Sequence, residues 1–407
     1  MRPARIVILS SGPLCRNPRV HKEAFTLAQA GYEVTVVTVA HHARFEAYDA
    51  EILRNAPFRK VVLDRLSTRP SVKIVSIGER ILSLALRRAK IQHPAALGPY
   101  HALRRLALAQ PFDLLIAHTE LPLCIAADLL AKKYPVAADI EDWHSQDLLP
   151  AARAQRPINL LVRTETLLLQ KACYTSTTSH AMATGLAAAC DSPVPVVVPN
   201  TFTLSSAPSP GLRATPPAIF WFSQSIGPGR GLEEFFAAWS LTTAPSRVVL
   251  LGDISTGYDT RLLASLPASH RSRLTFHPIV APAELPALIG RHHLGLALEP
   301  NAPANKNLTI SNKIFHYLDA GLAVLATPTA GQREVFDRDP AIGLIDDMSS
   351  PAALAGKLDE LLTNPDRLAA MGASARRLAQ SHFCWEKSSP ILLAAVAGAL
   401  HRPRAPA

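Results

Sequence analysis

Three glycines and an arginine follow a short apolar run in the second half of the chain, in the order Gly227-Pro-Gly-Arg-Gly231. Glycines let a bound group approach the backbone closely, and Arg230 precedes a predicted helix, Leu232–Trp239, where its guanidinium can hold a pyrophosphate. Asp253 ends the next predicted strand, as the ribose-binding acid of a nicotinamide enzyme does. Leu232 stands where that fingerprint requires a third glycine, so the pattern favours a phosphate loop over nicotinamide binding.

A second candidate anion site combines a strand, a polar loop and a helix. The predicted strand spans Leu294–Leu298, and the helix begins near Ser311 and carries Lys313 and His316 on one face. Lys313 can neutralise a phosphate there. The alternative is an ordinary capped helix with a solvated lysine.

The first predicted strand, Arg5–Leu9, leads through Gly12 into a predicted helix over Lys22–Ala30. A strand, a turn and a helix N-terminus present backbone N–H groups to an anion, and Arg16 and Arg19 add positive charge. This is a weaker indication of a phosphate site, because Gly12 can equally be the residue that a tight turn needs.

Two predicted strand ends in the first half offer groups for acid–base chemistry. His118 follows one of them, and Asp139 and His144 follow the next. An imidazole titrates near neutral pH, so His118 is suited to proton handling in a cleft, although a structural histidine is the alternative. The short acidic pattern Asp337-Arg-Asp339 resembles a sequence that holds a divalent metal in a different fold, but it follows a helix here, and we expect no metal there.

These residues need two sets of parallel strands to position them. Short β-branched runs alternate with helical patterns in both halves, which is typical of βαβ units. In the first half the predicted strands are Arg5–Leu9, Glu33–Thr38, Leu114–Ala117, Val136–Asp139, Tyr174–Thr178 and Val194–Val198; in the second they are Ala218–Phe222, Arg247–Leu251, Leu274–His277, Leu294–Leu298 and Ala323–Ala326. The segment Pro199–Pro217 is rich in Pro, Ser and Thr and predicts a linker, with a boundary near Thr203. Because parallel sheets bind ligands beyond the carboxyl ends of their strands, we expect a cleft between two domains.

Composition excludes several classes of protein. The 407 residues are 48% apolar and 18% charged, which supports two cores and argues against general disorder. No apolar run is long enough to span a bilayer or to form a secretory signal. The five cysteines lack metal or disulfide spacing, so a reduced cytoplasm fits best.

Positive charge is concentrated in the first half of the chain. Of the net charge of +10, residues 1–203 contribute 24 Lys and Arg against 16 Asp and Glu, and residues 65–112 hold nine basic residues and only one acid, Glu79. This pattern indicates an anionic partner or surface, although a solvated helical face is an equal alternative.

Seven short motifs follow one another along the chain: Asn17-Pro-Arg-Val-His-Lys-Glu-Ala24, Asp142-Trp-His144, Val198-Pro-Asn200, Gly227-Pro-Gly-Arg-Gly231, Leu250-Leu-Gly-Asp253, Asn312-Lys-Ile-Phe-His-Tyr-Leu-Asp-Ala-Gly321 and His382-Phe-Cys-Trp385. Taken in this order, they resemble family 4 of the retaining glycosyltransferases, which have the α/β GT-B fold of two Rossmann-like, doubly wound domains facing a cleft. The resemblance implies an acceptor-side domain over residues 1–203, a nucleotide-sugar domain over 204–381 and a helix over 382–407 that returns to the first domain.

The resemblance also implies a donor site in the second domain. Arg230 and Lys313 would contact the diphosphate of a nucleotide sugar, and His118 would lie near the transferred sugar as the third catalytic residue. The donor-binding residues would be Gly12, Gly229, Ile279, Val280, Leu308, Thr309, Ile310 and His316. The family often has a Glu-x7-Glu pair, and both acids are absent here, since Leu308 and His316 occupy those positions.

By this resemblance the expected activity is a metal-independent hexosyl transfer with retention, with no cofactor and no nucleic-acid partner. The acceptor would be lipid-linked or a saccharide of a cell-surface polysaccharide, reached from the cytoplasm or at the inner membrane face. The missing acid pair leaves two alternatives: a nucleotide-sugar-binding partner protein without catalysis, and an epimerase or hydrolase of nucleotide sugars with the same fold.

Overall fold

The computed structural model describes residues 2–40, 42–205, 215–281 and 283–401, which form two compact units. The first unit contains residues 2–198, 303–305 and the described residues from Ser389 onward, and the second contains the described residues of 199–302 and 306–388. The division at Val198 falls close to the predicted boundary at Thr203. Residues 206–214 of the predicted linker and residues 402–407 of the predicted last helix lie outside the described part of the chain.

The first unit is built on a parallel sheet whose described strands lie in the order β3-β2-β1-β4-β5-β6-β7. The strands are β1 (Arg5–Leu9), β2 (Glu33–Val39), β3 (Arg59–Leu63), β4 (Leu114–His118), β5 (Val136–Asp139), β6 (Thr175–Thr177) and β7 (Val196–Val197). Its helices are α1 (Pro18–Gln29), α2 (Ala43–Leu53), α3 (Pro70–Arg88), α4 (Tyr100–Leu108), α5 (Glu120–Ala131), α6 (Pro150–Arg153), α7 (Ile158–Lys171) and α8 (His180–Cys190).

The second unit has its own parallel sheet, in the order β10-β9-β8-β11-β12-β13. The strands are β8 (Ala218–Ile226), β9 (Arg247–Ile254), β10 (Leu274–His277), β11 (Leu294–Ala297), β12 (Ala323–Ala326) and β13 (Gly343–Ile345). The helices that follow residue 231 are α9 (Leu232–Trp239), α10 (Tyr258–Ala264), α11 (Ala268–Arg271), α12 (Leu285–Ile289), α13 (Ala304–Leu308), α14 (Asn312–Asp319), α15 (Ala330–Phe336), α16 (Pro351–Leu362), α17 (Pro365–Ser381) and α18 (Trp385–His401). Of these, α13 begins in the first unit, and α18 belongs to the first unit from Ser389 onward.

Central strands of both sheets are apolar runs buried on both faces, as helices on the two sides of a parallel sheet require. The residues of β1, β4 and β12 that point to either face are almost all buried. In the second unit one apolar cluster is centred on Trp221, Phe235 and Trp239, and another on Phe315 and Tyr317. Each unit therefore has its own hydrophobic core, and the predicted fold class is confirmed.

Strands β8 and β9 continue past their predicted ends, to Ile226 and Ile254, and several other strand ends differ by one or two residues. Two unpredicted strands and one helix start differ further from the expectations. The strands β3 and β13 lie at the edges of their sheets and are half-exposed, so they lack the buried apolar run by which the other strands are recognised. Helix α1 begins at Pro18 rather than at Lys22, because Asn17 accepts a hydrogen bond from the Val20 amide at 3.2 Å and caps the helix. Among the described residues, no helix combines the length and the apolar character that crossing a bilayer requires.

Candidate functional site

The glycine-rich loop after β8 has the backbone that its sequence predicts. Gly229 and Gly231 have φ values of 71° and 73°, a conformation that glycine adopts without strain. A Cβ on Gly231 would lie 2.8 Å from the Cβ of Leu298, so the loop also packs tightly against the end of β11. Arg230 is half-buried and makes no hydrogen bond or ion pair with any other residue that the structure describes. Its guanidinium is therefore available to an anion.

The predicted anion-binding lysine is paired with a carboxylate. Lys313, in the first turn of α14, donates a hydrogen bond from Nζ to Oε1 of Glu299 at 2.8 Å, and Ser311 donates to the same oxygen at 3.0 Å. The other Glu299 oxygen lies 3.6 Å from Nζ of Lys306. The Glu299 carboxylate thus has two ammonium groups, those of Lys313 and Lys306, beside it at the end of β11.

Glu299 is held as an anion. Burial by itself disfavours the charged form, but Lys313 and Lys306 together outweigh it and lower the pKa of Glu299 to about 2. Its backbone amide donates to the hydroxyl of Thr327 at 2.9 Å, and the side-chain amide of Gln332 donates to the same hydroxyl at 2.9 Å. The acid is therefore fixed in place by groups at the end of β12.

The two phosphate-binding candidates of the second unit lie on neighbouring strands. Strands β8 and β11 are adjacent in the sheet, and the contact between Gly231 and Leu298 joins their carboxyl ends. Lys313 also places its ammonium group 5.7 Å from the ring centroid of Trp221, a residue of β8. Arg230 thus lies in the loop after β8, and Lys313 lies at the start of the helix that follows the neighbouring strand β11.

His316 packs against two aromatic rings. Its imidazole stacks on Phe202, with centroids 3.9 Å apart, and meets the edge of Phe222 at 5.4 Å. Both phenylalanines pack against the same hydrophobic cluster as Val280, whereas Ile279 is 48% exposed. The structure thus groups His316 and Val280, while Ile279 remains accessible.

The segment Leu308–Ile310 joins α13 to α14. The Ile310 side chain is buried in the core, and a Cβ on Gly331 would lie 2.4 Å from the carbonyl oxygen of Thr309 and 2.7 Å from that of Leu308. Asn307 accepts a hydrogen bond from the Ala330 amide at 3.0 Å. The start of α15 therefore holds this predicted donor-binding segment closely.

In the first unit, His118 is fully buried in a network of charges. Its Nε2 lies 3.0 Å from a carboxylate oxygen of Glu23, and its Nδ1 lies 3.5 Å from Asp139. Arg19 binds Asp139 with two guanidinium nitrogens and donates from a third to the carbonyl of Val198 at 2.8 Å. Arg19 therefore supplies no free charge to an anion site near Gly12, because its own partners occupy it.

The charges of this network determine its protonation. Burial disfavours protonated imidazole, but Glu23 and Asp139 outweigh it and raise the pKa of His118 to about 9. Burial and the neighbouring Asp139 raise the pKa of Glu141 to about 7. Burial, reinforced by Asp139, also raises the pKa of Glu23, whereas Arg19 and His118 outweigh burial and lower the pKa of Asp139. Asp139 is thus the firmly ionised neighbour of His118, and the predicted role of His118 at the transferred sugar stays a prediction.

Gly12, the remaining predicted donor-binding residue, follows β1 in the same unit. Its amide donates to the hydroxyl of Ser10 at 3.3 Å, and a Cβ at this position would meet nothing within 4 Å. No close contact within the unit therefore requires a glycine here, and its place at a donor stays a prediction.

A second group of titratable residues lies at the ends of β4 and β5. Ligand atoms of Glu120, His144 and Asp147 lie within 4.8 Å of one another, a spacing open to a metal ion. However, Arg156 forms an ion pair with Glu120, and burial of His144 is outweighed by Asp147, which raises the pKa of His144 to about 9. The group balances its charges with its own cations, so a metal is not needed to hold it.

Helix α3 carries the basic and apolar pattern predicted for the segment after residue 65. Its large apolar side chains face solvent, with Ile74 70% and Ile81 62% exposed, whereas Ser83 is buried. A cavity of about 480 Å³ lies under the polar face of the helix, beside the carboxyl ends of β2 and β3. The polarity of this helix is therefore opposite to that of a helix packed on a core.

Comparisons with known proteins identify the family. A model described as "Glycosyl transferase 4-like domain" matches residues 17–201, and one described as "Glycosyl transferase-like" matches residues 230–392. The chain belongs to the family 4-like glycosyltransferases of GT-B fold. The predicted family is thus confirmed, and the two matched regions correspond to the two units that hold the candidate sites of this glycosyltransferase-family chain.

Solved structures support the same fold at low sequence identity. Sucrose-phosphate synthase from Thermosynechococcus elongatus has a TM-score of 0.72 and 15% identity, covering 97% of this chain and 98% of that one. HepE from Anabaena, in complex with UDP-glucose, has a TM-score of 0.66 and 16% identity, covering 97% and 99%. A TarM mutant from S. aureus, in a complex that includes UDP, has a TM-score of 0.66 and 9% identity, covering 96% and 99%.

One curated relative matches over a shorter region. Spore coat protein SA of Bacillus subtilis (strain 168) is 24% identical over 146 residues, which is 35% of this chain. The match spans 36% of that relative's length.

Glu299, whose carboxylate lies beside both Lys313 and Lys306, was not among the predicted site residues. The sequence signal for Glu299 is an acidic residue directly after a buried strand that ends beside a glycine-rich loop. A polar residue at such a place is a site candidate in any parallel sheet. Phe202, the stacking partner of His316, lies in the predicted linker and gave no such signal.

Proposed function

We propose that this protein transfers a hexosyl group from a nucleoside-diphosphate sugar to a lipid-linked or saccharide acceptor. One arrangement of cations carries the proposal. Arg230 has no partner among the described residues, and on the neighbouring strand's side Lys313 and Lys306 both lie beside Glu299. Three cations at the carboxyl ends of adjacent parallel strands suit a diphosphate. The neighbours HepE and TarM were solved with UDP or a UDP-sugar, which makes UDP-sugars the first donors to test.

In the proposed reaction, the bond between the anomeric carbon and the phosphate oxygen breaks while the acceptor oxygen bonds to the same carbon. Negative charge grows on the leaving diphosphate, and its stabilisation is the largest contribution that a protein site makes to such a step. Arg230 and Lys313 would provide it without a metal. The acceptor proton passes to an oxygen of the leaving phosphate, on the face that the donor occupied, so the configuration is retained.

His118 would act in this scheme as a positioning residue. It is buried between Glu23 and Asp139, and Glu141, which is partly exposed, lies 4.0 Å from the Arg19 that binds the same Asp139. A cationic imidazole at this place fixes the carboxylates at the ends of β4 and β5. Its effect on a sugar would therefore be transmitted through these neighbours.

The acceptor side of the proposal rests on α3. Its exposed isoleucines and the basic residues around them suit an anionic membrane surface, where apolar side chains enter the interface and each Lys or Arg adds about 1 kcal/mol. We therefore propose that the protein acts at the inner face of the cytoplasmic membrane, held there peripherally.

Incubation of the purified protein with UDP-sugars, with and without a membrane lipid extract, tests the function. Transfer to lipid with an unchanged anomeric configuration, assigned by NMR, is expected. Turnover of the donor without any acceptor would favour a hydrolase or epimerase instead, and tight donor binding without turnover would favour a binding protein. Absence of binding by every nucleoside diphosphate would contradict all three.

A further inference from the structure

Helix α3 presents two faces of opposite character, and the polar one borders a cavity, with Ser83 buried and Arg80 and Arg87 exposed at its rim. The exposed face carries large apolar residues: Ile74, Val75, Ile77, Ile81, Leu82 and Leu84. The opposite face carries Ser76, Glu79, Arg80, Ser83 and Arg87, all of which line the cavity under the helix. Ser76 and Ser83, like Arg80 and Arg87, are seven residues apart, which is close to two turns of helix and places each pair on one line.

The cavity has the size and the lining of a ligand site. Its volume of about 480 Å³ lies within the ordinary range of small-molecule pockets. Its lining also includes Val39 and Ala40 at the end of β2 and Gly98 and Pro99 before α4. Leu84 lines the cavity and is also 51% exposed, so an apolar side chain connects the pocket to the outer face of the helix.

Positive charge dominates the cavity lining. Arg65, Arg80 and Arg87 contribute three guanidinium groups against the single carboxylate of Glu79, which pairs with Arg65. Arg87 uses Nε to donate to the carbonyl of Ala96 at 2.7 Å, and this bond fixes the direction of its two terminal nitrogens. Arg80 has no ion pair or side-chain hydrogen bond within the described ranges of the chain. Neither Arg80 nor Arg87 therefore forms an ion pair with any residue in the part of the chain that the structure describes.

We infer that this cavity binds the phosphate group of an amphiphilic lipid, with Arg80 and Arg87 on the phosphate oxygens and the lipid chain leaving past Leu84 along the apolar face of α3. Guanidinium groups match phosphate oxygens through paired hydrogen bonds. A membrane that covers the outer face of the helix would bring such a head group to the pocket at its edge. The inference deepens the proposed function, on which it rests, because it makes the acceptor a lipid phosphate.

Calorimetric titration with octyl phosphate tests the site with a soluble probe, alongside 1-octanol and inorganic phosphate. We expect octyl phosphate to bind more tightly than either, since only it offers both the anion and the chain. The double variant Arg80→Gln/Arg87→Gln should weaken octyl phosphate binding about tenfold or more, as the loss of charged hydrogen bonds requires.

Two matched variants control for general charge. Arg88→Gln removes a neighbouring arginine that does not line the cavity, and Arg105→Gln removes one on α4. Both should bind octyl phosphate as the parent does. A melting temperature unchanged in all variants would show that each remains folded.

Each other result contradicts the inference. If octyl phosphate and inorganic phosphate bind with equal affinity, the lipid chain does not contribute to binding. If octyl phosphate and 1-octanol bind with equal affinity, the phosphate does not contribute. If the control variants lose as much octyl phosphate affinity as the double variant, the ligand does not bind in this cavity. Titration of the same preparation with UDP separates the two proposals. If the protein binds octyl phosphate but does not bind UDP, the proposed donor site is wrong and the lipid site is still supported.

Discussion

Glu299 and Lys313 form a hydrogen-bonded ion pair at the end of β11, with Nζ of the lysine 2.8 Å from Oε1 of the acid. The side chains are only 8% and 12% exposed, so each charge depends on the other. A lysine that is held in this way is positioned before any ligand arrives. Stability and ligand affinity at this site are therefore coupled, and mutations can separate them.

The variant Lys313→Met should lose both stability and nucleoside-diphosphate affinity. Removal of Lys313 leaves the buried Glu299 charge with only the more exposed Lys306 as a cationic neighbour, which costs about 3 kcal/mol in the free energy of unfolding. In the double variant Glu299→Gln/Lys313→Met most of that stability should return, while UDP affinity stays low. Denaturant unfolding and calorimetry measure the two effects. Recovery of UDP affinity in the double variant would remove Lys313 from the donor site.

Arg230→Ala should weaken binding of UDP much more than binding of uridine. A charged hydrogen bond contributes on the order of 1.5–3 kcal/mol, so we expect a loss of roughly tenfold to a hundredfold for UDP. The control is Arg291→Ala, an exposed arginine of the same unit. Equal affinity of UDP for the variant and the parent protein would show that Arg230 does not contact the diphosphate.

His316→Ala should weaken binding of uridine and UDP by the same factor, because the imidazole stands where the family often has a ribose-binding acid. The loss of one neutral hydrogen bond predicts a change of up to about tenfold for both. His382→Ala, an exposed histidine on the same unit, should bind as the parent does. If His316→Glu abolishes UDP binding while His316→Ala preserves it, the assumed position of the ribose is wrong.

The charge network around His118 predicts a loss of stability at alkaline pH. The pKa of His118 is raised from 6.5 to about 9 in the folded protein. Its stabilising contribution is therefore complete below pH 6.5 and is lost as the pH rises through 9. His118→Gln should be less stable by roughly 3 kcal/mol at pH 6, since the buried acids lose a cation. Its unfolding free energy should also fall less between pH 6 and 9.5 than that of the parent, measured by urea unfolding.

His101→Gln provides the control for this pH dependence, because His101 is an exposed histidine of the same unit. Its stability should follow the pH profile of the parent. A His118→Gln profile parallel to that of the parent would mean that His118 is not protonated in the folded protein at neutral pH.

Replacement of the exposed isoleucines of α3 should abolish membrane binding without unfolding the protein. Ile74→Ser, Ile77→Ser and Ile81→Ser together remove apolar side chains that are already in water, so stability should change little. Co-sedimentation with anionic vesicles should fall at least about tenfold. Val194→Ser, at a 66% exposed position elsewhere in the same unit, should bind vesicles normally.

Salt distinguishes the two contributions to that binding. Neutralisation of Arg87, Arg88, Arg104 and Arg105 should reduce co-sedimentation at low salt, because charges near a lipid surface are screened as salt increases. Parent protein that fails to bind anionic vesicles at low salt would contradict the membrane proposal and favour a soluble acceptor.

Much of the fold was predictable because its central strands are apolar runs between turn residues. Central strands such as β1, β5 and β12 have the predicted bounds, and so have the edge strand β10 and helix α9. The edge strands β3 and β13 were not indicated. They contain no buried residue, whereas β10 begins with the buried Leu274, so their short sequences have no distinct apolar pattern.

The site was predictable only in part, because sequence indicates which groups are near a strand end but not which of them pair. The pattern placed Lys313 on the first turn of a helix, yet its partner Glu299 depends on the path of the intervening loop. Likewise the strand end predicted an available His118, whereas α1 brings Glu23 and Arg19 to the same place and buries the imidazole. Contacts between distant segments are fixed by packing, which a single sequence does not reveal.

The exposed apolar face of α3 also affects how stable this helix is in water and at a membrane. A helix of 19 residues whose large apolar side chains are exposed gains little hydrophobic free energy from packing on the rest of the unit in water. A bilayer over Ile74 and Ile81 would supply the missing apolar partner and shift the local helix–coil equilibrium by mass action. The ordering of α3, and with it the shape of the cavity beneath, would then be thermodynamically linked to the location of the protein in the cell.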